Sequence, residues 1–265
     1  MSKINIKSEK IIIKIGTAIL SRGLRPQAPT GINTQIIEKL SNVIARLRKL
    51  GYKIVLVTSG AVGLGVKELK LHEKPKTILE KQMAASIGQV KLMETYERYF
   101  SKHKITIAQI LLTRDGFEQK EVYTNARETL NSLLTRGVVP IINENDAVAS
   151  EEIKFGDNDM LSALVGKLIH AKRLIILTDE EGLFDKNPKE NKDAKLIPVI
   201  KKITKQIEKM TSGKGSKFST GGMRSKLQAA KLAVSCGIKT HIIYGKMPEK
   251  ILDIIKGKNI GTIFL

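Results

Sequence analysis

Short apolar runs alternate along this chain with segments whose apolar residues return at helical spacing, and this alternation restricts the fold more than any other feature. Ile11 to Ile15 is an apolar run interrupted only by Lys14 and ended by Gly16. A run without polar alternation suits a strand covered on both faces. Ile36, Ile37, Leu40, Val43, Ile44 and Leu47 then recur at helical spacing, with Asn33 at the N-cap position and Gly51 where a left-handed C-terminal cap is expected. Ile54 to Val57 is the next strand. Strand, helix, strand in this order implies a parallel pair joined by a right-handed crossover.

The alternation continues with helical segments at Thr77 to Ser86 and Gln89 to Phe100, a strand at Ile105 to Leu112, and a helix through Ala126, Leu130, Leu133 and Leu134 that ends at Gly137. A strand at Val138 to Ile142, a small hairpin at Ala149 to Phe155, a helix through Leu161, Leu164, Val165 and Leu168, and a strand at Leu174 to Leu177 follow. Beyond a long polar stretch come a helix at Met223 to Cys236, a strand at Thr240 to Ile243, a helix at Pro248 to Lys256 and a last strand at Gly261 to Phe264. The pattern predicts a doubly wound α/β sheet with helices on both faces.

At 265 residues the chain suits one large α/β domain or two small ones, and it is long enough to bury a core without disulfides. We read one domain of two lobes, residues 1–170 and 171–265, dividing near Ala171. A hydrophobic share of 42% and a charged share of 27% set aside disordered, collagenous and coiled-coil chains. The single cysteine, Cys236, excludes an intramolecular disulfide and any CxxC site, and its place on an apolar helix face predicts a small core side chain. No apolar run approaches the roughly 20 residues of a membrane span, and no signal peptide is visible, so a cytoplasmic location is expected. Lys and Arg number 46 against 26 Asp and Glu, a net charge of +20. These cations are spread along the whole chain, and aromatics for base stacking reach only 4% with no Trp. A solvated lysine surface is therefore favoured over a face that binds nucleic acid.

Open α/β sheets bind ligands beyond the carboxyl ends of their strands. Small and polar residues collect there in this chain: Lys14-Ile15-Gly16-Thr17, Thr58-Ser59-Gly60-Ala61-Val62-Gly63-Leu64-Gly65, Asn143-Glu144-Asn145-Asp146, Gly156-Asp157-Asn158-Asp159, Thr178-Asp179-Glu180-Glu181-Gly182 and Thr220-Gly221-Gly222-Met223-Arg224-Ser225-Lys226. Two of these, Ser59 to Gly65 and Thr220 to Lys226, lead into helices, where main-chain N–H groups and the helix dipole favour an anion. Neither matches GxxxxGK[ST] or GxGxxG. Lys14 stands in an otherwise apolar strand and needs an anionic partner, which a structural ion pair or a phosphorylated ligand would supply. Phosphoryl transfer gives both Lys14 and Lys226 a reason, because catalysis there is mostly positioning and neutralisation of charge. Asp146, Asp157, Asp159 and Asp179 are the candidate carboxylates, with helix capping the plainer reading of Asp157 and Asp159. His72, His103, His170 and His241 have no ligand spacing and receive no role.

The runs KIGT, TSGAVGLG, KQMAASIGQ, INENDAV, FGDNDMLSALVG, LTDEEGLF and TGGMRSKLQAAKLA, in this order from about residue 10 to the end, resemble the glutamate 5-kinases of the amino acid kinase family. The resemblance implies a three-layer αβα sandwich with a mostly parallel central sheet. It also implies transfer of the γ-phosphoryl of ATP, with Mg2+ on its phosphates, to the γ-carboxylate of L-glutamate, the first step of proline synthesis. By motif, Lys14 and Lys226 would stabilise the transferring group and Asp159 would hold both ammonium groups. Ser59, Gly60, Asn143, Asp146 and Asn158 would bind glutamate. Lys14, Thr178, Asp179, Thr220, Gly221, Gly222, Met223, Arg224, Ser225 and Lys226 would bind ATP. No residue is assigned to a metal. Family members are commonly homo-oligomeric and inhibited by proline, and many carry a C-terminal PUA domain, where this chain ends at Leu265. The glycine such enzymes carry before Thr220 is Ser219 here. Acetylglutamate kinase, aspartate kinase and UMP kinase activities, a basic module binding polyanions, and an amino-acid sensor without turnover are the alternatives.

Overall fold

A computed structural model describes residues 9–21, 24–25, 28–29, 31–71, 73, 75–148, 158–211 and 222–265. In chain order its elements are β1 (Lys10–Ile15), α1 (Thr17–Leu20), β2 (Leu24–Arg25), β3 (Ala28–Pro29), α2 (Thr34–Lys49), β4 (Lys53–Val57), α3 (Ala61–Glu68), α4 (Ile78–Ser101), β5 (Ile107–Leu112), α5 (Lys120–Thr135) and β6 (Val139–Glu144). There follow α6 (Asn158–Ile169), β7 (Arg173–Thr178), β8 (Val199–Ile200), α7 (Lys205–Met210), α8 (Met223–Ser235), β9 (Lys239–Tyr244), α9 (Lys250–Ile255) and β10 (Thr262–Phe264).

Eight strands form one sheet in the order β5-β6-β4-β1-β7-β9-β10-β8. From β5 to β9 every pairing is parallel, and β10 runs antiparallel to β9. Side-chain alternation divides the buried residues between two layers. Ile11, Ile13 and Ile15 join Ile54 and Leu56 against α2, α4 and α9, whereas Ile12, Val55, Val57 and Ile142 pack against α5, α6 and α8. Both faces are thus covered, which is why the strands read as continuous apolar runs. The result is the expected αβα sandwich.

The helices start where the side chains direct. Asn33 caps α2 by accepting the N–H of Ile36, and Thr77 with Glu80 forms a reciprocal capping box at α4. Sequence spacing suggests two helices at 77–86 and 89–100, but the structure holds a single α4, in which Gly88 is a contact and not a break. A Cβ on Gly88 would lie 1.8 Å from the carbonyl oxygen of Ala61, and one on Gly65 1.7 Å from that of Ala84. Helices α3 and α4 therefore cross main chain against main chain through Ala61, Gly65, Ala84 and Gly88. Cys236 is also corrected: α8 ends at Ser235, and the thiol is exposed rather than in the core. The expected hairpin at Ala149 to Phe155 lies outside the described residues.

Candidate active site

Sheet order brings the polar strand exits to one edge. The neighbours β6, β4, β1 and β7 end at Glu144, Val57, Ile15 and Thr178, so four of the motif loops emerge side by side. Lys14 shares the face of Ile12, which is the face that α6 and α8 cover. Asp159, second residue of α6, and Lys226, in the first turn of α8, meet it there.

Asp159 is fully buried, and Lys14 and Lys226 are 2% and 5% exposed, so all three have left water. The Lys14 ammonium pairs with Oδ1 of Asp159, and Lys226 Nζ donates to Oδ2 at 3.0 Å. Ser225 Oγ donates to the same Oδ2 at 3.0 Å. Two cations separated by 212 positions thus sit on the two oxygens of one carboxylate. Removing a single buried partner from such a set costs about 3–5 kcal/mol when a charge is left uncompensated.

Asn158 carries the arrangement toward β4 and β6. Its Nδ2 donates to the Thr58 carbonyl at 2.6 Å, to Ser59 Oγ at 2.9 Å and to Asn143 Oδ1 at 2.8 Å. Its Oδ1 is buried and accepts no hydrogen bond among the described residues. Asn143 is buried, and its Nδ2 donates to Gln89 Oε1 at 3.0 Å. Thr58 Oγ1 and the Tyr96 hydroxyl share a 2.7 Å hydrogen bond below, and burial pushes the Tyr96 phenol well above its ordinary range. Gly60 holds φ +103°, a conformation that side chains resist, and this lets the chain turn sharply from β4 into α3. Asp146 is half-buried in the turn that leaves β6 at the same edge.

On the other side, Thr178 is buried at the end of β7 and donates to Asp179 Oδ1 at 3.1 Å. Asp179 is more open and lies 3.9 Å from Lys189, which Glu180 holds at 2.7 Å. Gly222 starts α8, and Ser225 Oγ donates back to its carbonyl at 2.9 Å. Neither Gly60 nor Gly222 caps its helix with a side chain, unlike Asn33, Thr77 and Thr204 elsewhere. Among the described residues, the N-termini of α3 and α8 thus have no side-chain cap, the setting in which helix N–H groups can receive an anion. Met223 is half-buried and Arg224 exposed at that start. Thr220 and Gly221, together with Asp157 and Ser219, lie outside the described residues. Sequence reasoning assigned no part to Gln89 as an individual residue. Among the described residues, no group of three or more His, Cys, Asp and Glu side chains is placed to hold a metal ion, and no helix is long and apolar enough to cross a membrane.

Comparison with known proteins identifies the family. The family model for the amino acid kinase family matches residues 9–244. A glutamate 5-kinase of Clostridium perfringens is 44% identical over 262 residues, covering 97% of this chain and 96% of the relative. That of Geobacter sulfurreducens is 45% identical over 259 residues, covering 98% of this chain and 68% of the relative. Among solved structures, an isopentenyl phosphate kinase of T. acidophilum superposes with a TM-score of 0.65 at 19% identity, covering 97% of this chain and all of that one. A carbamate kinase of Giardia lamblia bound to AMP-PNP does so at 0.66 and 16% identity, covering 98% and 99%. The chain belongs to the amino acid kinase family, and its sequence groups it there with the glutamate 5-kinases.

Proposed function

We propose that the chain phosphorylates the γ-carboxylate of L-glutamate at the expense of ATP, giving L-glutamyl 5-phosphate for proline synthesis. The observation that carries this reading is the convergence of Lys14 and Lys226 on Asp159. Asp159 brings two ammonium groups to one place away from water, where both can act on the same ligand. A phosphoryl group in transfer spreads negative charge over its oxygens and is the ligand such a site suits.

The sheet order supports an assignment of the remaining residues. Ser59, Gly60, Asn143, Asp146 and Asn158 would hold glutamate on the β4 and β6 side. Thr178, Asp179, Gly222, Met223, Arg224 and Ser225, with Thr220 and Gly221, would hold ATP on the β7 and α8 side. Glutamate binding would then fall to residues 1–170 and nucleotide binding to 171–265. Lys14 stands between the two on β1, its ammonium oriented by Asp159. A γ-carboxylate is already ionised at neutral pH, so its oxygen attacks the γ-phosphorus without a general base. The new bond forms as the bond to the ADP oxygen breaks, and ADP carries the electron pair away. Mg2+ would be held by the ATP phosphates and would neutralise part of their charge.

Family resemblance further supports a cytoplasmic homo-oligomer inhibited by proline, and Leu79, Met83, Ile87 and Val90 form an exposed apolar stripe along α4 that a second copy would cover. Sedimentation reads that subunit number, and a monomer at every concentration would overturn it. The function itself is tested by ADP release with glutamate, N-acetylglutamate, aspartate and UMP as acceptors, each with and without proline, and by trapping the acyl phosphate with hydroxylamine. Glutamate-dependent turnover that proline suppresses is expected. A folded protein that turns over only another acceptor, or none, defeats the reading.

A further inference from the structure

Of the runs singled out in the sequence, KQMAASIGQ takes no part in the phosphoryl transfer described so far, yet its last residue touches the amino-acid side of the site. Asn158 must turn its nitrogen toward the Thr58 carbonyl, which can only accept, and this directs Asn158 Oδ1 away from it, buried and without a donor among the described residues. Asn143 is oriented as firmly, because the main-chain N–H of Glu144 donates to its Oδ1 at 2.9 Å. The Asn143 nitrogen is thereby directed at α4, where Gln89 Oε1 receives it. Gln89 in turn donates Nε2 to Oε1 of Gln109, on the edge strand β5, at 2.8 Å. Four amides run in one direction, each nitrogen on the next oxygen, and aligned hydrogen bonds polarise one another. The carbonyl end of that chain is Asn158 Oδ1.

We propose that Gln89 is a positioning residue for the amino-acid substrate: by receiving the Asn143 nitrogen it holds in place the amides whose sense the main chain sets, so that the Asn158 carbonyl oxygen faces the substrate's α-ammonium group. The proposal deepens the glutamate reading and rests on it. Gln89 is 8% exposed, and its neighbour Gly88 bears on the Ala61 carbonyl, so α4 cannot slide relative to α3 and the amide head is set in place. An ammonium group donates and never accepts, so a buried carbonyl oxygen with nothing to receive is the complement it needs.

The experiment compares Gln89→Met, of similar length but unable to take the Asn143 hydrogen bond in the same way, with Gln89→Glu, whose carboxylate still accepts from Asn143 while the exposed Gln109 can rotate to donate. In Gln89→Met the KM for glutamate is expected to rise about tenfold, in line with one lost buried hydrogen bond, with kcat and the KM for ATP within about twofold. Gln89→Glu is expected to remain within about threefold of wild type in all three. Glutarate, which keeps both carboxylates and lacks the ammonium, is expected to compete equally well against wild type and Gln89→Met. A glutamate KM unchanged in Gln89→Met, a parallel rise in both KM values, or an equal weakening of glutarate overturns the proposal. Should the methionine variant not fold, Gln89→Asn, which withdraws the amide by one methylene, carries the same expectations. Wild-type protein without glutamate turnover would defeat the functional reading itself, and this proposal with it.

Discussion

Lys14 shows how much a single misplaced charge can disclose. A lysine in a buried strand must have negative charge beside it, and the apolar run around it makes that requirement visible in the sequence. What periodicity could not supply was the partner, because Asp159 lies 145 positions away and reads equally well as a helix cap. The geometry separates the roles of the three residues. Replacing Lys14 or Lys226 with methionine leaves Asp159 paired with the other lysine, so folding should survive while kcat falls by about 10² or more. Asp159→Asn instead leaves two buried ammonium groups facing a neutral amide, and a loss of about 3–5 kcal/mol in urea denaturation is expected. Unaltered kcat in both lysine variants would remove them from the chemistry. Gln89 was invisible at this scale, since its part depends on the direction in which four amides point.

Among elements, the alternation of strand and helix was legible because each buried strand is a continuous apolar run and each covering helix has one apolar stripe. Direction was not. Nothing in Gly261 to Phe264 distinguishes an antiparallel β10 from a parallel one, and β8 and α7, with two and six residues, are too short to show a period. Helix α4 was read as two for a related reason, as glycine in a helix suggests a break until the neighbouring main chain is seen. Small residues four apart on both helices, Ala61 with Gly65 and Ala84 with Gly88, let the carbonyls approach. Gly88→Ala would place a Cβ 1.8 Å from a backbone oxygen that cannot rotate away. The helices must separate, and a loss of at least about 3 kcal/mol is expected, at the upper end of ordinary overpacking. The KM for glutamate should rise as well, because Ser59 precedes α3 and Gln89 follows Gly88. Wild-type stability in this variant would mean that the contact is slack.

For the molecule as a whole, a charge of +20 works against compactness, since like charges repel more when brought together. Acid adds to that burden at one buried position. His241, in β9, is 3% exposed, and burial together with Arg173 and Lys239 pushes its imidazole down to about 4. Above about pH 6.5 the folded and unfolded chains both hold it neutral, so no stability depends on it. Between pH 6.5 and 4 the unfolded chain takes up a proton that the folded one refuses, and stability falls as pH falls. By pH 5 the loss should reach about 2 kcal/mol. His241→Gln has no such titration, so urea denaturation of variant and wild type between pH 7 and 5 isolates the imidazole from the general repulsion that both share. The wild type is expected to lose about 2 kcal/mol more than the variant over that range. Two curves that stay parallel would show that water reaches His241 and that the acid limb belongs to the surface charge alone.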